Sequence, residues 1–146
     1  MAQFLVTVAP REPAQGESAQ TLFLLAGPEL TGEAVARLTD GLLHDPVVQT
    51  AAWVPLTREA LAAEPPPAAA AVLELAYRPG VTDNEAESAR EGAHRLGVYT
   101  LEQARALRRY LLPPGVSPAA RAAELAIDLV QTTLAYAPGE GVDERL

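Results

Sequence analysis

Val130-Gln131-Thr132-Thr133-Leu134-Ala135-Tyr136 is the stretch on which the fold turns. Together with the residues before it, Leu125, Leu129, Thr132 and Tyr136 fall at helical spacing and suit one long helix from Ala119. The alternative is a helix to about Ile127 followed by a strand to Tyr136. Internal similarity separates the two. Val48-Gln49-Thr50 and Val130-Gln131-Thr132 are identical, and in that match Leu43 meets Leu125 and Val47 meets Leu129. Upstream, Leu24-Leu25 meets Tyr110-Leu111, Pro28 meets Pro114 and Thr31 meets Ser117, while Phe4, Val6, Val8 and Pro10 meet Leu73, Leu75, Tyr77 and Pro79. Val47 to Val54 is β-branched and apolar, so its counterpart from Val130 onward is expected to be a strand as well.

Working outward, Phe4, Val6 and Val8 alternate on one face of a first strand, and Thr21 to Ala26 is a short apolar run suited to a buried strand. Thr31 is an expected N-cap for a helix with Val35, Leu38 and Leu42 along one stripe, ended by Asp45-Pro46. Residues 61–71 contain Pro65-Pro66-Pro67 inside an alanine tract, a stiff linker with short helix admitted on either side. A strand then covers Val72 to Tyr77. Thr82-Asp83-Asn84-Glu85 fits a capping box with Thr82 as the cap, opening a helix that closes at Gly97. Ala104 to Leu112 reads as a strand, and Ser117-Pro118 as a helix start. Each half therefore reads strand, (helix), strand, helix, strand, the first half having only Pro10 to Gln20 where the second has a helix. A thin parallel crossover is expected there in preference to an antiparallel hairpin. The sheet face left uncovered by the lost helix is expected to lie under the Ala/Pro linker or a partner protein.

Composition narrows the chemistry. The 146 residues carry no Cys and no Lys, which removes disulfides, thiol nucleophiles, Schiff bases and the phosphate-binding lysine of a P-loop. The net charge of −8 repels phosphate backbones and anionic lipid, so neither nucleic acid nor membrane is an expected partner. The two histidines, His44 and His94, do not form a metal-binding pair, and no cofactor is expected. The amino terminus has no signal-like apolar stretch and no run is long enough for a membrane span, so a cytoplasmic location is expected.

Four residues stand out as candidate partner contacts, each beside a plainer reading. Arg108 and Arg109 point to opposite faces of one strand, where one serves an interface or both are edge charges. Arg78 precedes Pro79-Gly80 near a helix start, where a carboxylate or phosphate would sit, although Asp83 and Glu85 make that place negative. Trp53 is a docking anchor or a core residue. Glu85, Glu87 and Glu91 alternate with Arg90 and Arg95 and read as a solvated helix face, not a metal or acid–base cluster. His44 beside Asp45 reads as a helix C-terminal cap, and Ser117 has no base placed to activate it.

Two motifs then carry a resemblance. Tyr77-Arg78-Pro79-Gly80-Val81-Thr82-Asp83-Asn84 closes a strand and opens a helix, with Arg108-Arg109-Tyr110-Leu111-Leu112 on the following strand. Leu42-Leu43-His44-Asp45-Pro46-Val47-Val48-Gln49 joins a helix to a strand. In this order they resemble the PurS family, the small subunit of phosphoribosylformylglycinamidine synthase, and most of all the tandem PurS-like region at the amino end of longer forms of that enzyme's large subunit. The chain departs from the family in having Ala86 where a glycine is usual, in lacking the first helix of its first copy, and in ending at Leu146. The resemblance implies an α+β fold of two tandem PurS-like βαβαβ repeats, residues 1–60 and 72–137, joined by the linker 61–71 and followed by a polar tail 138–146. The repeats would form a pseudo-dimeric sheet with helices packed on it. The implied function is non-catalytic: to dock the synthetase (PurL-type) and glutaminase (PurQ-type) components of the purine-pathway synthase so that ammonia passes between them, with a homodimer as a further assembly. The alternative, from a different class, is a small-molecule-binding regulatory module on a paired ferredoxin-like framework. An independent enzyme is disfavoured because no nucleophile–base or metal constellation is visible.

Overall fold

The alternating strands of the first half find each other locally. β1 (Ala2–Pro10) and β2 (Ser18–Gly27) pair antiparallel, Phe4 opposite Leu25 and Val8 opposite Thr21. This corrects the expected parallel crossover. Both strands are longer than the alternation alone marks, leaving only residues 11–17 between them, and antiparallel neighbours need no more than a short turn. The computed structural model describes residues 1–12, 16–126, 131–141 and 145.

α1 (Gly32–Gly41) follows, capped by Thr31, whose hydroxyl accepts the Ala34 N–H at 3.2 Å. It leads to β3 (Gln49–Pro55) on the outer side of β1. α2 (Arg58–Ala63) begins ahead of the expected linker and runs into it. The second half contributes β4 (Ala71–Tyr77), α3 (Asn84–Arg95), β5 (Gln103–Leu112), α4 (Pro118–Leu125) and β6 (Gln131–Tyr136). The last is the strand expected there, paired with β4 from Val72 opposite Tyr136 to Tyr77 opposite Gln131. The end of the preceding helix at Ile127 lies outside the described residues.

All six strands form one antiparallel sheet in the order β3-β1-β2-β5-β4-β6. The first strand of each half thus lies between the other two, and β2 and β5 form the seam. Matching the strands by ladder position corrects the matching by letters. With Phe4 set against Leu73, the ladders put Leu25 level with Tyr110, where the letters set it against Leu111. With Val6 set against Leu75, they put Trp53 level with Thr133, where the letters set it against Ala135. The letter match slips by one residue in the second strand, which exchanges the two faces. In the third it slips by two, so the shared Gln-Thr pairs do not occupy equivalent rungs.

Side-chain alternation puts Phe4, Val6, Phe23, Leu25 and Ala106 on one face, under Val35 and Leu38 of α1 and Ala89 and Ala93 of α3. α4 lies on this face too, over Leu73, Leu75 and Leu112. α3 thus covers Phe23 and Leu25 of β2 on this face, where the Ala/Pro linker or a partner protein was expected. α2 lies on the opposite face, where Leu61 meets Leu5, Leu22 and Leu107. Across the seam, Arg121 of α4 donates two hydrogen bonds to the Glu17 carboxylate, at 2.6 and 2.8 Å, and this holds that carboxyl below its ordinary range.

The cap of α3 is Asp83, one residue beyond the expected Thr82. Its Oδ1 accepts the Ala86 N–H at 3.0 Å, and its Oδ2 accepts the Ala106 N–H of β5 at 2.8 Å. That second bond decides the position: the β4–β5 ladder stops at Leu107, and Asp83 supplies the acceptor beyond it. Asp83→Ala removes a cap and a strand partner together. It is expected to lower stability by about 2 kcal/mol, the upper end for a helix cap, read from the urea midpoint at unchanged slope. No helix among the described residues is long and apolar enough to cross a membrane.

Candidate functional site

The four residues marked from sequence do not come together. Trp53 packs edge-on against Phe4, ring centroids 5.8 Å apart, and lies so close to α1 that a Cβ on Gly32 would stand 2.8 Å from its ring. It is half-buried and tied into the core. Arg108, on the helix-covered face, hydrogen-bonds Thr21 Oγ1 and the Glu85 carboxylate, so it fastens the start of α3 to the sheet. Arg78 is exposed in the turn after β4, beside an end-of-sheet cleft of about 500 Å³ that Arg105 also lines. Arg105 donates to the Tyr77 carbonyl at 3.4 Å. Arg109 alone enters a larger constellation.

Arg109 is on the sheet face opposite α1, α3 and α4. In register it stands between Gln20 of β2 and Glu74 of β4. Its Nε donates to Gln20 Oε1 at 2.8 Å, and Nη2 donates to the same oxygen. Glu74 is buried, 5% exposed, and accepts hydrogen bonds from the Tyr136 hydroxyl of β6 and the guanidinium of Arg145. A short 3-10 turn, Pro138–Glu140, brings the chain back from β6. Gln20, Glu74, Tyr136 and Arg145 were not singled out from sequence. Glu74 carries a signal nonetheless: it is the one charged residue inside the apolar run Val72-Leu73-Glu74-Leu75, and a buried carboxylate requires partners.

Arg109, Tyr136 and Arg145 line one end of a groove of about 660 Å³. Leu5, Val54, Leu61 and Pro66 form its apolar part, and the Pro65-Pro66-Pro67 strap that follows α2 lines it. Burial pushes the Arg109 guanidinium below its usual range, against the opposing pull of Tyr136 and Glu74.

No family model matches the chain, and no curated protein matches it. The site has therefore to be read from its own chemistry. Among the described residues no group of three or more His, Asp or Glu is placed to hold a metal. Glu74 is occupied by a phenol and a guanidinium, an arrangement that stores charge and fixes orientation without presenting a nucleophile.

Tyr136 is pushed up to about 12, first by burial and then by its hydrogen bond to Glu74. Its folded value is higher than the ordinary one of about 10, so the fold favours the protonated phenol. The stability this contributes is fully present below about pH 10 and is lost as pH rises through 12. Two units correspond to roughly 2–3 kcal/mol. Denaturant titrations of the native chain should therefore show stability falling between those limits, and Tyr136→Phe should remove that share of the fall.

Proposed function

We propose that the chain is a duplicated PurS-like assembly module whose halves form a covalent pseudo-dimer, and that it docks synthetase and glutaminase components of a glutamine-dependent amidotransferase of purine synthesis. The observation that carries this reading is the seam. β2 and β5 pair over nine rungs, from Ser18 opposite Leu111 to Ala26 opposite Gln103, and so make one sheet out of two three-stranded units. In each unit the first strand is central. Joining the units in one chain replaces a bimolecular encounter with a high local concentration. The motif Arg78-Pro79-Gly80-Val81 sits at the end-of-sheet cleft, exposed for contact. The engagement of Arg108 and of Glu74 in internal pairs agrees with a role in which the chain positions other proteins and does no chemistry itself.

The test is reconstitution. The purified chain is expected to co-elute with the synthetase and glutaminase components and to restore glutamine-dependent amidine formation to the mixture. Failure to bind either component, with glutamine-dependent activity unchanged by its addition, rejects the proposal. Arg78→Glu, a reversal in an exposed turn, is the variant expected to weaken co-elution while leaving the fold intact.

A further inference from the structure

We propose that the outer edge of β6 is a self-association surface, where a second copy of the chain adds its own β6 antiparallel about a two-fold axis centred on Leu134. This does not rest on the purine-synthase reading, and either can fail alone.

The ladder registers fix which backbone groups of β6 are spare. The Ala106 N–H points towards the β4 side of β5, where the Asp83 carboxylate takes it. Alternation along β5 turns the backbone groups of Arg108 and Tyr110 the same way, onto Leu75 and Leu73. Val72, Glu74 and Ala76 therefore turn theirs to β6, where Tyr136, Leu134 and Thr132 stand opposite. Thr133 and Ala135 lie between these, so their N–H and C=O groups point away from the sheet. No hydrogen bond among the described residues meets them there. Both residues are exposed, and the Leu134 side chain between them is 40% exposed.

An open edge is normally blunted by charge, proline or cover. β6 has neither a charged residue nor a proline, in a chain that is 21% charged. The opposite edge, β3, is blunted at both ends. Gln49 gives its N–H to the Asp45 carbonyl at 2.8 Å, and Pro55 has none to give while its carbonyl takes the Thr57 N–H at 2.9 Å. Midway along that edge stands Ala52, with little apolar surface to bury.

A second copy is the occupant that this strand fits. With Leu134 set against Leu134 of the second copy, Thr133 falls opposite Ala135 of that copy, and the outward N–H groups of each strand meet the outward carbonyls of the other. Leu134 then forms a non-hydrogen-bonded pair, the closer kind, on the face opposite α1, α3 and α4. Neither strand brings a charge to the axis, so the net charge of −8 sets no like pair in the ladder. Such a contact is isologous and closes on itself as a dimer. The same antiparallel edge-to-edge pairing already joins the two halves of the chain at the β2–β5 seam. So short a ladder buries less than the roughly 1,600 Å² of a standard interface, and a micromolar dimer is the expected strength.

Sedimentation equilibrium of the native chain, from micromolar to submillimolar concentration, is expected to show a monomer–dimer equilibrium. Amide exchange followed by NMR over the same range should slow at Thr133 and Ala135 and stay constant at Leu134, whose N–H is directed to β4. Leu134→Arg sets two cations against each other at the axis and is expected to weaken the dimer by about tenfold or more. Ala135→Pro removes an N–H that the chain's own ladder does not use, a place where an edge strand tolerates proline, and should weaken the dimer comparably. Ala52→Arg, the matching change on the β3 edge, should leave it unaltered. If neither β6 variant folds, the exchange measurement on the native chain decides. A monomer throughout the range overturns the proposal. So does a dimer in which Thr133 and Ala135 exchange as they do in the monomer, one that a folded β6 variant forms with native affinity, or one that Ala52→Arg dissolves.

Discussion

Glu74→Ala is expected to lower the folding stability by about 3–5 kcal/mol, the range for removing one partner of a buried ion pair. The carboxylate is 5% exposed and serves three groups at once. It accepts from the Tyr136 hydroxyl and from Arg145, and it faces Arg109 across the β4–β5 ladder. With alanine there, the buried phenol has lost its acceptor, and Arg145 and Arg109 have lost the carboxylate that the one bonds and the other faces. Arg109 sits mid-strand and cannot leave the cluster, so the penalty persists after relaxation. Glu74→Gln keeps an oxygen for Tyr136 while losing the charge, and its loss should be the smaller of the two. Urea denaturation read by far-ultraviolet circular dichroism ranks the three chains. Equal stability of Glu74→Ala and the native chain would show that the cluster is solvated and that its charges are not stabilising the sheet.

Leu22→Ala is expected to cost about 2–5 kcal/mol, as large-to-small changes in well-packed cores do. Leu22 is fully buried at the middle of β2, facing Leu107 across the seam and lying under Leu61 of α2 with Leu5. α2 is a six-residue helix, too short to persist without tertiary contact, and Leu61 is its buried anchor. Removing Leu22 opens a void where the helix sits, so the segment from Arg58 to the proline strap should loosen before the rest of the sheet. Hydrogen exchange should show amide protection falling in α2 more than in β1 or β5. Leu24→Ala, two residues along on the same face but only half-buried, should cost less. If protection in α2 did not change, Leu61 would not be what holds the strap.

Much of the fold was legible locally. Thr31 and Ser117 take the cap positions that the sequence marks, each hydroxyl accepting an N–H three residues on at 3.2 Å. His44 Nδ1 lies 2.6 Å from the Thr39 carbonyl, the helix-end contact expected of it. Strand β6 replaced the long helix that Leu125, Leu129, Thr132 and Tyr136 also permit. The errors arose where local pattern is silent. The missing helix was expected to force a parallel crossover, yet alternation in β1 and β2 is the same for a hairpin. Local pattern offers the linker or a partner protein as cover for the sheet, yet residues of α3 reach Phe23 and Leu25 because β5 pairs with β2.

The sequence by itself determined the elements: period-two apolar runs can bury one face only as strands, and hydroxyl or carboxylate caps fix where helices begin. The tertiary structure alone decided which strands are neighbours and which residues share a groove. Arg109 reaches a glutamine 89 positions away, and Glu74 meets Tyr136 and Arg145 at separations of 62 and 71. Those meetings depend on ladder register, where one rung of slip would send each side chain to the other face of the sheet.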